Sequence, residues 1–366
     1  MTNFDVSKEW TVLVPPELVH ERKAAEDLSR YIGLLAGLCV QGPNKGSVPR
    51  PIIIADAAGP APSGAVIVIN SGPNGPEQNG FSWRAEPDRV EIFGESNRGL
   101  CNGIYSFLSV LGISWPAPGQ EKLPSLGANA PHEIPLVKHS VHEPSNYKGN
   151  DPGAVPWRRF VPAGKRVIRD TLKKSEVFAA WAARHRYDAL VFPLEAFASG
   201  FTGPKLKLLK KIAGEYDIAL EAGGRDLSSL VPRKYFSFHK DFFRMEEGRR
   251  TKVHHFCPTN PGAIGIINKM GKKLFLGAEG INTFHLWPDR GAEKTWCSCP
   301  TCRAFTPVEQ NRIAVNAAAD VLSTLDSSAS ITYFENSGED VNIPMRKTLY
   351  RIERLPEEKE FASKNN

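Results

Sequence analysis

The sequence predicts an α/β protein in two parts: a small N-terminal α/β sheet domain over residues 1–116, then a (β/α)8-barrel-like domain over residues 136–366. Three observations carry this. At 366 residues the chain is too long for one ordinary core and comfortable for two. The stretch Trp115–Pro135 is rich in Pro, Gly and Ala, which marks residues 117–135 as an irregular crossover linker. Beyond it, short β-branched or aromatic runs alternate with helical periodicity, the pattern of parallel strands joined by right-handed crossovers.

In the first part, Trp10–Val14 reads as a strand, and Ala25, Leu28, Ile32 and Leu35 share one face of a helix over 21–38. Pro51–Ala55 and Ala65–Asn70 are β-branched runs bounded by Pro and Gly, hence strands. Phe81–Trp83 and Val90–Ile92 form a hairpin around the turn Glu86-Pro-Asp88. Ser96 caps a helix carrying Ile104, Phe107, Leu108 and Leu111 on one face. One helix on each flank of a small sheet is the expected packing.

In the second part, strands are expected at Val137–Val141, Ala189–Phe192, Ile218–Leu220, Val253–Phe256, Thr283–Leu286 and Ile331–Phe334. Helices fall near Ser175–Arg186, after Pro204, after Asn260-Pro261, and over Val308–Leu325. A further strand at Thr348–Ile352 still leaves the count short of the eight that a complete barrel requires, so either the barrel is incomplete, or its missing strands come from another chain, or the sequence is a truncated form of a longer protein.

Composition narrows the function. The net charge of +6 arises from 46 basic and 40 acidic side chains scattered along the chain, without the cluster a nucleic-acid partner needs. Lys205, Lys207, Lys210 and Lys211 alternate with leucines as the wet face of a helix. No apolar run reaches a membrane span, and the N-terminus lacks a signal peptide's pattern. With six cysteines in so long a chain, a reducing, cytoplasmic setting is expected. Neither dinucleotide nor P-loop glycine spacing occurs, so no nucleotide cofactor is expected, and the nucleophile-elbow pattern of esterases is missing as well. Nothing in the sequence argues against a homo-oligomer.

Barrels of this kind place their chemistry at the C-terminal ends of strands. Those ends carry Glu143, Glu195, Glu221, Asp289 and Glu335, with His254, His255, His285 and Trp287 beside them. Several carboxylates with an indole suit sugar chemistry: one carboxyl protonates the leaving oxygen, another attacks or activates water, and the indole packs on the ring. Asp289 and Glu335 rank first as catalytic residues because each follows an apolar strand ending in an aromatic. Glu221 comes next, since Gly223 and Gly224 would let a ligand approach the backbone. Trp287, His254, His285 and Arg225 are the substrate-binding candidates. Against this stands a plain alternative, in which the carboxylates cap helices or pair with Arg158, Arg159, Arg225 or Arg346.

The sharpest local pattern is Cys297-x-Cys299-x-x-Cys302, which has metal-ligand spacing and needs a fourth ligand, Cys257 or His285. Such a site would be a structural zinc staple; the alternatives are reduced thiols or one disulfide holding a long loop.

Several of these motifs also resemble known families. Ala24–Ile32 is similar to the opening helix of the non-catalytic N-terminal domain of alpha-glucuronidases and beta-hexosaminidases. Asn97-Arg-Gly-Leu-Cys-Asn-Gly-Ile-Tyr-Ser-Phe-Leu108, running on to Leu111-Gly-Ile-Ser-Trp115, resembles that domain's last helix. Trp181-Ala-Ala-Arg-His-Arg186 is similar to a helix of their first barrel units. Leu286-Trp-Pro-Asp289 with the cysteine motif resembles an uncharacterised bacterial glycoside hydrolase-like family, a domain of unknown function. The resemblance implies a glycoside hydrolase acting on an oligosaccharide, one containing uronic acid given the basic rim residues. The paired Asp-Glu of the hexosaminidases is missing here. Two other readings stay open: a catalytically silent carbohydrate-binding protein, and a zinc-stapled scaffold on a truncated barrel.

Overall fold

The computed structural model describes residues 3–15, 23–40, 54–56, 64–72, 79–125, 133–143, 159–162, 174–200, 203–225, 227–292, 295–335, 341–352 and 358–359. The predicted Pro51–Ala55 strand lies partly outside these, as do Arg158 and the middle of the 117–135 crossover.

The first sheet is built from β2 (Trp10–Val14), β3 (Ile54–Asp56), β4 (Ala65–Ser71), β5 (Phe81–Glu86), β6 (Arg89–Gly94) and β8 (Ser140–Glu143), in the order β3-β2-β4-β6-β5-β8. β3, β2, β4 and β6 run parallel; β5 joins β6 as the expected hairpin and then pairs antiparallel with β8. A separate ribbon pairs β1 (Asn3–Asp5) with β7 (Glu133–Pro135).

Helices α1 (Lys23–Val40) and α2 (Asn97–Val110) do not flank this sheet one on each side, as the sequence suggested. They lie side by side, with the Tyr105 hydroxyl of α2 donating to Asp27 of α1 at 3.1 Å. The reason is in the strands. β6 alternates exposed Arg89, Glu91 and Phe93 with buried Val90, Ile92 and Gly94, so only one of its faces is covered. Ser96 caps α2 as expected, accepting from the Gly99 N–H at 3.2 Å.

The second sheet consists of β9 (Arg159–Pro162), β10 (Ala189–Phe192), β11 (Ala219–Gly224), β14 (Thr283–Leu286), β15 (Ser330–Phe334), β16 (Leu349–Ile352) and β17 (Glu358–Lys359). Its order is β16-β15-β14-β11-β10-β9-β17, every pair parallel. The last strand in the chain thus returns to the first, as a curling sheet does. No pairing joins β16 to β17 among the described residues.

Two strand expectations are corrected. The run near Val137–Val141 joins the first sheet as β8, where Ser140–Glu143 meet Arg84–Phe81, and the second sheet begins instead at β9. Val253–Phe256 is not a strand: Phe256 makes one isolated bridge to Phe243, and His254 sits at φ 63. An apolar run is shared by strands and buried loops, and periodicity does not separate them.

α3 (Ser175–Arg184), α4 (Gly203–Glu215), α5 (Pro261–Gly277) and α6 (Pro307–Leu325) link the strands. α5 begins as expected, with Asn260 accepting from the Ala263 N–H and Pro261 in the first turn. α6 starts with a reciprocal capping box between Thr306 and Glu309.

The two sheets meet at the N-terminal edge of the second. Asp188, directly before β10, is 1% exposed and accepts from Asn79 at 3.1 Å and Arg98 at 3.4 Å. Arg98 also donates to the Tyr216 carbonyl at 3.1 Å, directly before Asp217 and β11. Arg184 of α3 forks onto Asp27 of α1 at 2.9 and 3.0 Å, and Trp181 Nε1 donates to the Trp115 carbonyl at 3.0 Å. The Arg-Gly and Trp motifs of the first part therefore do packing work between the sheets.

Candidate functional site

The opposite, C-terminal edge collects the polar groups. The register of β11, β14 and β15 places Glu221, His285 and Thr332 within reach of one another. His285 Nε2 lies 2.8 Å from Glu221 Oε2, and His285 Nδ1 lies 2.7 Å from Thr332 Oγ1. Trp287 Nε1 donates to the same Thr332 oxygen at 3.0 Å. An indole nitrogen only donates, so the Thr332 hydroxyl is free to give its own proton to Nδ1, and Nε2–H then faces the Glu221 carboxylate. This directed chain is buried: Glu221 is 3% exposed, Trp287 1%, His285 and Thr332 0%. Trp287 packs on Val191 and Ile352, so its indole forms part of the sheet's interior.

Glu335, directly after β15, is also buried and receives Arg312 of α6 in a fork at 2.7 and 2.8 Å. The Glu335 hydrogen bonds raise the Arg312 guanidinium above its ordinary value.

Asp289 stands on the loop after β14 and is partly open to solvent. Arg233 Nη2 lies 3.3 Å from its Oδ2, and His254 Nδ1 lies 3.8 Å from the same atom. Arg233 is lowered by burial, against which the Asp289 charge acts. Arg225 donates to the Pro288 carbonyl at 3.2 Å, next to Asp289. His254 occupies the left-handed region at φ 63, a conformation that costs a non-glycine residue about 1 kcal/mol or more and gathers at functional sites.

His255 is fully buried, stacked on Trp296 at 4.3 Å, and its Nε2 meets the Ala292 carbonyl at 3.0 Å. A carbonyl only accepts, so Nε2 carries the proton and Nδ1 the lone pair. Burial pushes this imidazole down to about 4, so it is neutral at pH 7. His255 Nδ1, Trp296 Nε1 and Arg233 Nη1 are buried without a hydrogen-bond partner among the described residues.

The remaining candidates lie elsewhere. Glu143 sits on β8 of the first sheet and pairs with Arg186 at 2.9 Å. Glu195 is exposed after β10. Arg346 pairs with Asp320 on α6 rather than with a rim carboxylate. The sequence pattern did not single out Arg233, Arg312, Thr332 or Trp296. Arg233 lies in a 3-10 turn and Arg312 on a helix, where arginine is ordinary, and only the fold aims them at the rim.

Beside this rim is a candidate metal centre. Cys257, Cys297, Cys299 and Cys302 are all buried, and their sulfurs lie within 4.8 Å of one another. Cys257 Sγ is 3.8 Å from Cys299 Sγ and 3.6 Å from Cys302 Sγ. A single ion with metal–sulfur bonds of about 2.3 Å separates tetrahedral thiolates by about 3.8 Å, so the quartet fits one ion. Of the two candidates for a fourth ligand, Cys257 is the one present; His285 is committed to Glu221 and Thr332.

Donors already point at the sulfurs. The Met245 N–H reaches Cys297 Sγ at 3.2 Å, Arg250 Nη1 reaches it at 3.7 Å, and Thr259 Oγ1 lies 3.0 Å from Cys302 Sγ. Hydrogen bonds from the Cys297 and Cys302 thiols pull the Cys257 thiol far down, while Cys302 is held up against it. The group is able to hold a metal ion.

No family model matches the chain, and no curated protein matches it. Among solved structures it is similar to the family 20 exo-beta-N-acetylglucosaminidase of Vibrio harveyi bound to N-acetylglucosamine, at 11% identity and TM-score 0.47, covering 96% of this chain and 54% of that one. It is similar to the chitobiase of Flavobacterium johnsoniae at 13% identity and TM-score 0.49, covering 91% and 50%. A Streptomyces plicatus beta-hexosaminidase variant bound to N-acetylglucosamine gives 12% identity and TM-score 0.48, covering 91% and 62%. The chain thus spans between half and two thirds of these enzymes. At such identities and scores, its chemistry has to be argued from its own residues. Among the described residues, no helix is long and apolar enough to cross a membrane.

Proposed function

We infer that this chain is a glycoside hydrolase-like protein that takes an oligosaccharide at the C-terminal edge of its parallel sheet. The observation that carries this reading is the meeting of Asp289, Arg233 and His254 on loops that follow the adjacent strands β11 and β14, with separations of 3.3 and 3.8 Å. Asp289 reaches solvent and serves as the acid/base. Glu335, kept in its fork with Arg312, is the second carboxylate. Glu221 acts through His285 rather than directly. The guanidinium groups of Arg233 and Arg225 favour an acidic sugar, a uronic acid, because an arginine fork matches a carboxylate. Zinc in the cysteine quartet, with all its positions filled by protein thiolates, would staple the loops and leave no place for a water to be activated.

The test is release of aglycone from aryl glycosides and aryl glycosiduronates by the wild type and by Asp289→Asn. General acid–base catalysis is worth about 10²–10⁴-fold, so the variant is expected to lose activity on that scale with its circular dichroism unchanged. Full activity in both Asp289→Asn and Glu335→Gln would remove the catalytic assignment.

A second reading is carbohydrate binding without turnover. It is favoured by the Arg312 ion pair and the His285 hydrogen bond that already occupy Glu335 and Glu221 inside the protein. Calorimetric binding of an oligosaccharide with no aglycone release from any substrate would select it.

A further inference from the structure

We propose that the metal ion of the four-cysteine centre assembles the ligand-binding rim, so that the metal-free chain keeps both sheets but loses the ordered arrangement of Asp289, Arg233, His254 and His255. This inference rests on the reading of the quartet as a metal site. The ligands come from two different loops: Cys257 from the segment after β11, and Cys297, Cys299 and Cys302 from the loop after β14. One ion therefore ties together the same two loops that carry the candidate ligand groups.

The loops have little regular secondary structure of their own, although Leu227, Leu230, Val231, Phe243 and Phe256 are buried in the main core. Between β11 and α5 lie short 3-10 turns and a ribbon of two-residue strands, β12 (Met245–Glu246) and β13 (Arg249–Arg250). Between β14 and α6, among the described residues, there is a single 3-10 turn at Cys302–Ala304. Backbone hydrogen bonds cross from one loop to the other beside the strand ends, where Leu227 N–H donates to the Trp287 carbonyl at 3.3 Å, and beside the cysteines, where Ser298 N–H donates to the Met245 carbonyl at 2.9 Å and Met245 N–H donates to Cys297 Sγ. Gln310 of α6 fastens the Cys297 backbone through its amide, accepting from the N–H and donating to the carbonyl at 3.0 and 3.1 Å.

The rim is joined to the centre by covalent steps of one or two residues. Trp296 precedes Cys297, His255 lies two residues before Cys257, and the two rings stack on each other. His255 in turn holds the Ala292 carbonyl, three residues beyond Asp289. The same rim has buried polar atoms without partners at Arg233, His255 and Trp296 among the described residues, and His254 is in a left-handed backbone conformation. The left-handed backbone at His254 opposes the arrangement by about 1 kcal/mol or more and is kept by a constraint from the surrounding structure. A tetrahedral ion with ligands from both loops is that constraint.

The experiment uses the full chain. Metal content is first measured on the purified protein and after titration with Zn²⁺, with Co²⁺ substitution to report tetrahedral thiolate coordination. Hydrogen exchange is then compared between metal-loaded protein, chelated protein and Cys302→Ser. The expected result is about one metal ion per chain, with amides of 241–260 and 287–306 exchanging about tenfold faster or more once metal is lost, and α2 and β10 unchanged. Restoring Zn²⁺ to the chelated wild type should restore protection.

If metal binds but its removal leaves the loops equally protected, the coupling is wrong while the metal reading stands. If α2 and β10 lose protection together with the loops, the ion holds the whole fold rather than the rim, which also overturns the inference. A protein that takes up neither Zn²⁺ nor Co²⁺ rejects the metal reading and the coupling with it.

Discussion

Gly223→Ala is expected to destabilise the protein by about 3–5 kcal/mol, combining backbone strain with overpacking. Gly223 has φ +114, and a Cβ there would lie 2.1 Å from the His285 carbonyl oxygen and 2.8 Å from the His285 nitrogen. Gly223 and His285 are register partners on β11 and β14, so the methyl group would strike backbone that has nowhere to go without parting the strands. His285 holds Glu221 and Thr332, so the damage would pass straight into the buried polar chain. Gly224 is the internal control. Its φ is +124 but nothing lies within 4 Å of its Cβ position, so Gly224→Ala should show only the strain, about 1–3 kcal/mol. Denaturant unfolding of both variants settles the point; a Gly223→Ala protein within about 0.5 kcal/mol of wild type would refute it. The expectation that Gly223 admits a ligand to the backbone is thereby corrected, because the space is taken by the neighbouring strand.

Asp188→Ala is expected to cost about 3–5 kcal/mol, the penalty for leaving a buried charge without its partner. The charge is Arg98, 11% exposed in its side chain, which would retain the Tyr216 carbonyl and Asn102 but lose its anion. Asn79 would lose its acceptor as well. Because this cluster joins α2 of the first sheet to the start of β10 in the second, the unfolding transition should also become less cooperative. Arg98→Met in the Asp188→Ala background should recover part of the loss, since removing both charges avoids the unpaired state. Equal and additive losses in the two single variants would show that the residues do not act as a pair.

Much of the fold was legible in the chain. Four strands of the second sheet, at 189–192, 283–286, 330–334 and 349–352, coincide with apolar runs read from the sequence, and the strand at 219–224 begins in the run read at 218–220 and continues past it through Glu221 to Gly224. Both caps of the first and second parts, Ser96 and Asn260, act as their side-chain chemistry requires. These are local matters: a capping oxygen bonds an N–H three residues on, and an apolar run of four or five residues makes a strand wherever its neighbours lie. β9 and β17 escaped, being short and without an apolar pattern to announce them.

The cysteine quartet was half legible. Cys297, Cys299 and Cys302 are adjacent in the chain, whereas Cys257 is brought to them by the path of a long loop. The rim was less so. Sequence order put Asp289, Glu221 and Glu335 at strand ends, but the partner of each comes from a different element: Arg233 from a turn, His285 from the next strand, Arg312 from a helix. Chain chemistry by itself determined which residues are able to ionise, cap or bind metal, because those properties belong to the side chain and its nearest neighbours. Tertiary structure alone decided which carboxylate meets solvent and which is held inside, because burial and pairing depend on atoms that the sequence keeps tens of residues apart.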